Sequence, residues 1–434
     1  MKYRFYTLGC KVNQYETQAM EQQLAALGHT AAEEGACDAY IINTCTVTAI
    51  ADRKNRTLIR RLRRENPDAI VAVCGCYAQV STDEVRALGV DVISGSGGRE
   101  AFLQLVLDAV RTRDGEKRVA VDEALRRRGF EQLPAGGLAA RTRAMLKVQD
   151  GCNNFCSYCI IPYARGPVRS LPVAEAVAQA RQLAAQGYRE IVLTGIEIAS
   201  WGWEWHDGSR FAALAEAICR AVPDVRIRLG SLEPRIVDDE FCAVLSQYQN
   251  LCPQFHLSLQ SGSDAVLRRM NRKYDSARYY ESVCLLRRFF PGCAVTTDLI
   301  VGFPQETAAE FAESLTFAEK CGLAAMHVFP YSRRAGTPAA AMPGQIPKAV
   351  KAERAAAAGE TARALREKYD TALLGSVQPV LFEQVEDGFF TGHAPNGVKV
   401  YARGENLHNV VLPVRITALR ADGVEGEAVR GEEK

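Results

Sequence analysis

Cys152, Cys156 and Cys159 stand in the run Gln149-Asp150-Gly151-Cys152-Asn153-Asn154-Phe155-Cys156-Ser157-Tyr158-Cys159, a C-x3-C-x2-C spacing. The spacing supplies three thiolates and stops. The next cysteine along the chain is Cys219 and the next histidine is His206. A structural zinc site is normally closed by four protein ligands, and most iron–sulfur clusters take four cysteines. A four-iron cube held by three thiolates leaves one iron open, where a small molecule can bind the metal directly. The motif is therefore a candidate for chemistry. A zinc ion with a distant fourth ligand is the bracing alternative.

Three more cysteines take their meaning from the elements around them. Tyr3–Leu8, Ala39–Asn43, Ala69–Cys74 and Val90–Ser94 read as buried strands, and Gln14–Leu27, Ala49–Arg64 and Thr82–Leu88 have helical periodicity. That alternation implies a parallel, doubly wound sheet. Cys10, Cys45 and Cys76 follow its first three strands. Loops at the carboxyl ends of such strands line one crevice, so these three thiols are expected to converge there. A lone cysteine is often only a small buried apolar residue. Cys37, before its strand, and Cys74, facing the core, are read that way. So are Cys219, Cys242, Cys252, Cys284, Cys293 and Cys321, which lack ligand spacing.

A Gly- and Pro-containing linker is expected at residues 129–143, after an α/β domain at 1–128. A second βα series then places strands at Met145–Val148, Glu190–Thr194, Arg226–Leu229, Phe255–Leu259, Val295–Ile300 and Met326–Phe329. Six strands with intervening helices suit a partial (β/α)6 barrel over 144–347, with Cys152 at the rim where such folds place active sites. An Ala-rich connecting helix at 348–371 leads to a segment of short strands and Gly/Asn turns at 372–434, which reads as a small β-barrel. From Ala372 onward there are nine acidic and six basic side chains, a net charge of −3.

With 434 residues, two to four domains are expected, and 47% apolar with 24% charged residues matches a globular protein. No run of 18 apolar residues and no signal-peptide core are present, so a cytoplasmic location and no membrane are expected. Fourteen cysteines there argue for metal ligands and core residues rather than disulfides. The net charge of +2 says little about partners, but Arg53–Arg64 holds seven basic residues and no acidic one. That stretch is either a solvated helix face or a phosphate-binding surface. A second basic stretch runs through Arg111, Arg113, Lys117, Arg118 and Arg126-Arg127-Arg128. No heptad argues for an obligate oligomer, and a monomer is expected.

The three-cysteine motif with an aromatic residue before its last cysteine resembles the radical S-adenosylmethionine (SAM) enzymes. With the upstream cysteines and the terminal barrel, nearly the whole chain resembles the methylthiotransferases. The resemblance is carried by Thr7-Leu8-Gly9-Cys10-Lys11-Val12-Asn13-Gln14-Tyr15-Glu16, Asn43-Thr44-Cys45-Thr46-Val47 and Gly75-Cys76-Tyr77-Ala78-Gln79. It continues in Cys159-Ile160-Ile161-Pro162-Tyr163-Ala164-Arg165-Gly166, Leu193-Thr194-Gly195, Ser231-Leu232-Glu233-Pro234, Leu257–Ser263 and Thr297–Pro304. The barrel looks like the TRAM domain, an RNA-binding β-barrel. Lys11–Glu16 looks most like the branch acting on N6-threonylcarbamoyladenosine of tRNA, beside the anticodon.

The resemblance implies that Cys152, Cys156 and Cys159 hold a [4Fe–4S] cluster whose open iron binds SAM, and that Cys10, Cys45 and Cys76 hold a second cluster carrying the sulfur to be inserted. A radical derived from SAM would take the hydrogen from C2 of the adenine. Tyr158, Thr194, Gly195, Ser231, Glu233, Gln260 and Asp298 are the expected cofactor-binding residues, while His256 is read as a satisfied strand histidine. Expected partners are tRNA, SAM, an electron donor and a sulfur donor. Isopentenyladenosine of tRNA, or an aspartate of a ribosomal protein, is the alternative substrate. The −3 barrel suits a basic protein, and the basic helix suits tRNA. A non-catalytic iron–sulfur carrier with an RNA-binding tail is the third reading.

Overall fold

A computed structural model describes residues 1–136 and 142–429. Part of the expected linker, 137–141, and the last residues of the expected barrel, 430–434, lie outside the described residues.

The amino-terminal unit is a six-stranded, wholly parallel sheet in the order β2-β1-β3-β4-β5-β6. Its elements run β1 Lys2–Thr7, α1 Lys11–Ala26, β2 Thr30–Ala31, β3 Ala39–Thr44, α2 Ala49–Glu65, β4 Ile70–Gly75, α3 Cys76–Val80, α4 Thr82–Ala87, β5 Val92–Ser94, α5 Arg99–Thr112 and β6 Arg118–Ala120. Every residue of β3 is buried, as a central parallel strand covered on both faces requires. Ile59, Leu62, Tyr77 and Val85 build the core on one face of the sheet, and Met20, Leu24, Phe102 and Val106 on the other. In α2 the buried residues Asp52, Asn55, Ile59 and Leu62 recur at helical spacing, which turns Arg53, Lys54, Arg60, Arg61 and Arg64 outward. Thr48 caps this helix by accepting the Ala51 amide at 3.1 Å.

Three features depart from the sequence expectation. Cys76 opens a short helix rather than a loop. Arg111 lies in the last turn of α5, a helix not among the sequence expectations. The second basic stretch is also neutralised locally: Arg111, Arg113, Lys117, Arg118, Arg126 and Arg127 each pair with a nearby carboxylate.

The central unit continues with β7 Arg143–Lys147, β8 Gln149–Asp150, α6 Ile161–Arg165, β9 Arg169–Ser170, α7 Val173–Ala185, β10 Glu190–Thr194, α8 Phe211–Ala221, β11 Arg226–Leu229, β12 Ser231–Leu232, α9 Asp239–Leu245, β13 Gln254–Leu257, α10 Asp264–Arg269, α11 Ser276–Phe289, β14 Ala294–Val301, α12 Ala308–Cys321 and β15 Ala325–Pro330. Parallel strands run β7-β10-β11 and then β12-β13-β14-β15, with Gly230 the break between β11 and β12. A β-carbon on Gly230 would lie 2.9 Å from the Leu193 carbonyl oxygen, so the wall can bend there only with glycine. The result is an arc of six strand paths, the open barrel expected. Helices α7 and α8 pack outside it around Ala176, Ala180, Leu214 and Ile218.

After the short α13 Pro338–Ala341, the long α14 Lys348–Thr371 leads to a closed barrel. Its strands are β16 Val377–Glu386, β17 Phe389–His393, β18 Lys399–Ala402, β19 Val411–Arg420 and β20 Gly423–Ala428. Four of the five are expected from sequence. The exception is β20, whose Gly-Val-Glu-Gly-Glu run carries no strand pattern. A β-carbon on Gly426 would lie 2.5 Å from the Arg415 carbonyl oxygen, so tight closure sets glycine there against strand propensity. The barrel is docked at the amino-terminal ends of the core strands. Arg226 donates to the Pro379 carbonyl, Arg228 to the Pro395 carbonyl, and Arg143 pairs with Glu383. Among the described residues no helix is long and apolar enough to cross a membrane.

Candidate active site

Cys45 and Cys76 stand immediately past β3 and β4, and Cys10 three residues past β1; the strands are parallel neighbours, so the placement follows from topology. Two glycines make the approach possible. Gly9 has φ +110°, and a β-carbon there would lie 2.5 Å from the Cys45 Cβ; Gly75 has φ +100° and would strike the Thr44 carbonyl. Asn13 ties the strand ends together by donating to the Leu8 and Thr44 carbonyls at 2.8 and 2.9 Å. Cys45 and Cys76 are buried and Cys10 is exposed. Cys74 lies in the sheet core, as expected of a structural residue.

The Cys152 loop is held from below and from the side. Gly151 has φ +75°, and a β-carbon on it would fall 1.9 Å from the Pro167 carbonyl oxygen. Ser157 donates its amide to the Met270 carbonyl and its hydroxyl to the Arg269 carbonyl. Asn271 donates to the Phe155 carbonyl. The loop between α10 and α11 is thus the mould on which the motif is cast. The same loop delivers Arg272, whose Nη1 donates to the Cys156 Sγ at 3.1 Å.

The two triads meet across a seam between the domains. Arg165, at the end of α6 beyond Cys159, reaches the first triad and donates from Nε to the Cys76 Sγ at 3.3 Å. The segment after Cys45 is pinned to the segment after β15: the Ala49 amide donates to Ser332 Oγ at 3.0 Å, and Arg334 bridges Asp52 and Thr46. Between them lies a cavity of about 270 Å³, lined by Val47, Tyr158, Cys159, Gln260, Asp298 and Phe329 among others. Its walls therefore come from both domains. Val47 and Phe329 are exposed at its edge.

The residues expected at the cofactor divide into groups. Tyr158, Gln260 and Asp298 line this cavity with Cys159. Tyr158 also packs in an apolar cluster with Phe303 and Met270. Gln260 takes φ +66°, so its backbone bends at the rim. Thr194 ends β10, and Gly195 sits so close to Gln149 that a β-carbon would lie 2.9 Å from the Gln149 carbonyl oxygen. Ser231 is exposed at the start of β12. Glu233 is occupied elsewhere: both its oxygens accept from Arg235, and it borders a separate cavity of about 240 Å³. His256 is satisfied by Thr296 at 3.0 Å and Asp298 at 3.3 Å.

Sequence reasoning passed over Glu197, Arg165 and Arg272. Glu197 lies three residues past the end of β10, where a strand-end rule could have flagged it. Its Oε2 accepts from Asn154 at 3.5 Å, while Oε1 is buried without a partner. Burial, with a smaller push from Glu233, raises its carboxyl to about 7 against the pull of Arg272.

Electrostatics bear on what the triads could hold. Burial pushes the thiols of Cys45 and Cys159 up to about 12, and that of Cys152 higher still. Thiolate ligation by these residues would release their protons. Among the described residues, the buried cations Arg99, Lys147, Arg165 and Arg169, of which Arg165 touches Cys76, pair with two buried carboxylates, Glu16 and Asp150, with Glu131 at the edge. That excess of positive charge suits anionic thiolates and the cluster they would carry. Among the described residues no three Cys, His, Asp or Glu side chains stand close enough to enclose a single metal ion.

Comparison with known proteins follows the same division of the chain. Residues 2–95 match a family described as uncharacterized protein family UPF0004, and residues 146–318 match the radical SAM superfamily. The threonylcarbamoyladenosine tRNA methylthiotransferase MtaB of Bacillus subtilis is 40% identical, over 98% of this chain and 96% of its own. Its namesake from Thermotoga maritima is 36% identical over 98% of each. The tRNA-2-methylthio-N(6)-dimethylallyladenosine synthase of Acetivibrio thermocellus is 32% identical over 99% of this chain and 91% of its own. Among solved structures, the radical SAM methyltransferase TsrM of Kitasatospora setae superposes with a TM-score of 0.56 at 16% identity, over 78% of this chain and 77% of its own. That likeness is one of fold.

Proposed function

This chain belongs to the radical SAM methylthiotransferases, and from that membership we propose that it adds a methylthio group at C2 of N6-threonylcarbamoyladenosine in tRNA, beside the anticodon. The observation that carries the reading is the pair of cysteine triads on either side of one seam, with Arg165 spanning from the Cys159 side to Cys76. One open cluster suffices to cleave SAM; a second is needed when sulfur is the cargo. The choice of substrate is supported by relatives named for threonylcarbamoyladenosine at up to 40% identity, against 32–35% for those named for dimethylallyladenosine.

The cofactors are SAM and [4Fe–4S] clusters, which when bound supply the electron that opens SAM and the sulfur that is inserted. Cys152, Cys156 and Cys159 would hold the cluster that meets SAM, and Cys10, Cys45 and Cys76 the one that meets sulfur. The enclosed carboxyl of Glu197 is suited to the ammonium group of SAM, and the backbone beside Gly195 to a close approach by its amino-acid end. Val47 and Phe329 offer apolar surface to a nucleobase entering between the domains. A reducing compartment, the cytoplasm, suits fourteen free cysteines, and the chain acts as a monomer with external electron and sulfur donors.

Mass spectrometry of tRNA nucleosides from a deletion strain tests this. The 2-methylthio derivative of threonylcarbamoyladenosine should vanish and return with the intact gene, but not with Cys45→Ala or Cys152→Ala. Its persistence, with loss of another methylthio nucleoside, would assign a different substrate.

A further inference from the structure

Each triad has one arginine donating to one of its sulfurs. Arg165 Nε lies 3.3 Å from the Cys76 Sγ, and Arg272 Nη1 lies 3.1 Å from the Cys156 Sγ. Neither arginine belongs to the triad's own loop. Arg165 comes from the core domain to the amino-terminal triad, and Arg272 from the α10–α11 loop to the core triad. Both are locked in orientation. Arg165 is fully buried, with its other nitrogens on Glu16, Asp150 and Asn13, the last at 2.7 Å. Arg272 stacks on the Tyr274 ring at 4.7 Å and bonds the Tyr274 hydroxyl at 3.0 Å, leaving Nη2 buried and unpartnered.

We propose that Arg165 and Arg272 are paired positioning residues, each clamping one cysteine sulfur of a different triad and raising the reduction potential of the cluster that triad holds. The inference rests on the reading that the triads hold clusters. The physics is direct: a hydrogen bond from a fixed cation withdraws charge from a ligand sulfur and stabilises the reduced, more negative cluster. In a dry, low-dielectric site that effect is little screened. A neutral donor would withdraw less charge. Arg165 also acts within the cation-rich set of Arg99, Lys147 and Arg169, so its effect adds to a field already positive.

The test is a redox titration followed by electron paramagnetic resonance on the anaerobically reconstituted full chain. One triad is replaced by alanines so that a single cluster is read. Arg99 and Lys147 still pair with Glu16 at 2.8 and 3.2 Å when Arg165 is replaced, so the first variant is Arg165→Gln alone. Arg165→Lys, which keeps the charge and withdraws the Nε donor, guards against a variant that does not fold. Arg272→Gln and Arg272→Lys are the counterparts. The glutamine variants should lower the reduced-to-oxidised ratio at fixed poise by tenfold or more, about 59 mV for a one-electron couple. The lysine variants should move the same way by less. Each shift should appear only in the cluster whose sulfur the arginine touches. An unchanged midpoint in any iron-loaded variant, or a shift in the wrong cluster, overturns the proposal. A parent chain that assembles no cluster on a triad overturns the underlying reading instead.

Discussion

Gly9 packs its bare α-carbon against Cys45, so that a β-carbon would lie 2.5 Å from the Cys45 Cβ and 2.8 Å from its Sγ. Gly151 is as tightly set against the Pro167 carbonyl below the other triad. Both have positive φ, so a side chain would be strained as well as crowded. Gly9→Ala should reduce iron bound at the amino-terminal triad and spare the core triad, and Gly151→Ala should do the reverse. Iron content and cluster absorbance of each variant check this.

The same assay separates the triads directly. The reconstituted chain should bind about eight irons in two four-iron clusters, and Cys45→Ala or Cys152→Ala should each leave about four. Cys74→Ala, in the sheet core, should lower the melting temperature without lowering iron. A ceiling of four irons in the parent chain would remove the two-cluster reading.

Phe329 lies at the cavity edge across from Val47, nearly half exposed at 46%. An aromatic ring left to solvent beside Cys159 is suited to stack on a base, an interaction of about 1–3 kcal/mol. Phe329→Ala should therefore raise the KM for tRNA by roughly tenfold or more, leaving SAM cleavage without tRNA unchanged. Single-turnover assays with and without tRNA distinguish the two effects.

Helix α2 turns Arg53, Lys54 and Arg60 outward without a carboxylate partner among the described residues, whereas Arg56 and Arg63 pair with Glu84 and Asp91. Arg61 and Arg64 share Glu65 in exposed pairs, which are worth little. Reversing Arg53, Lys54 and Arg60 to glutamate should weaken tRNA binding, and the salt slope should fall by about 0.7–0.9 for each phosphate no longer neutralised. Reversing Arg111 and Arg126, already paired with Asp108 and Glu123, should not. Equal affinities at low salt would return α2 to a solvated face.

Glu383 fastens the terminal barrel to the core through Arg143 and Thr142, and pairs within the barrel with His393. Burial works against its charge, but His393 and Arg143 outweigh it and hold the carboxyl below its usual 4.5. A depressed folded value means the stabilisation is complete above about pH 4.5 and is lost as pH falls through the lower folded value. Glu383→Gln should cost about 1–3 kcal/mol at neutral pH and flatten the acid limb of the stability curve. Thermal melts between pH 3 and 7 would show it.

The α/β order, the six core strands and the strand-end cysteines were legible because buried parallel strands are continuous apolar runs, which periodicity detects. Strand β20 was not, because Gly423 and Gly426 are there to let two backbones close, a demand of the barrel rather than of the strand. The place of Glu233 after β12 was legible, but not that both its oxygens accept from Arg235. A residue's position at a strand end is local; what its side chain meets is not.

By itself the sequence determined the placing of the cysteines: three on one short loop, and three more set by strand order. It also set the glycines, whose backbone conformations no other residue adopts without strain. Only the tertiary structure decided what stands beside each sulfur. Arg165 and Cys76 are 89 residues apart, and Arg165 and Glu16 are 149 apart. No helical or strand period spans such distances. They are brought together by the docking of one sheet's carboxyl edge against another's, where buried charges accept only partners that also neutralise them.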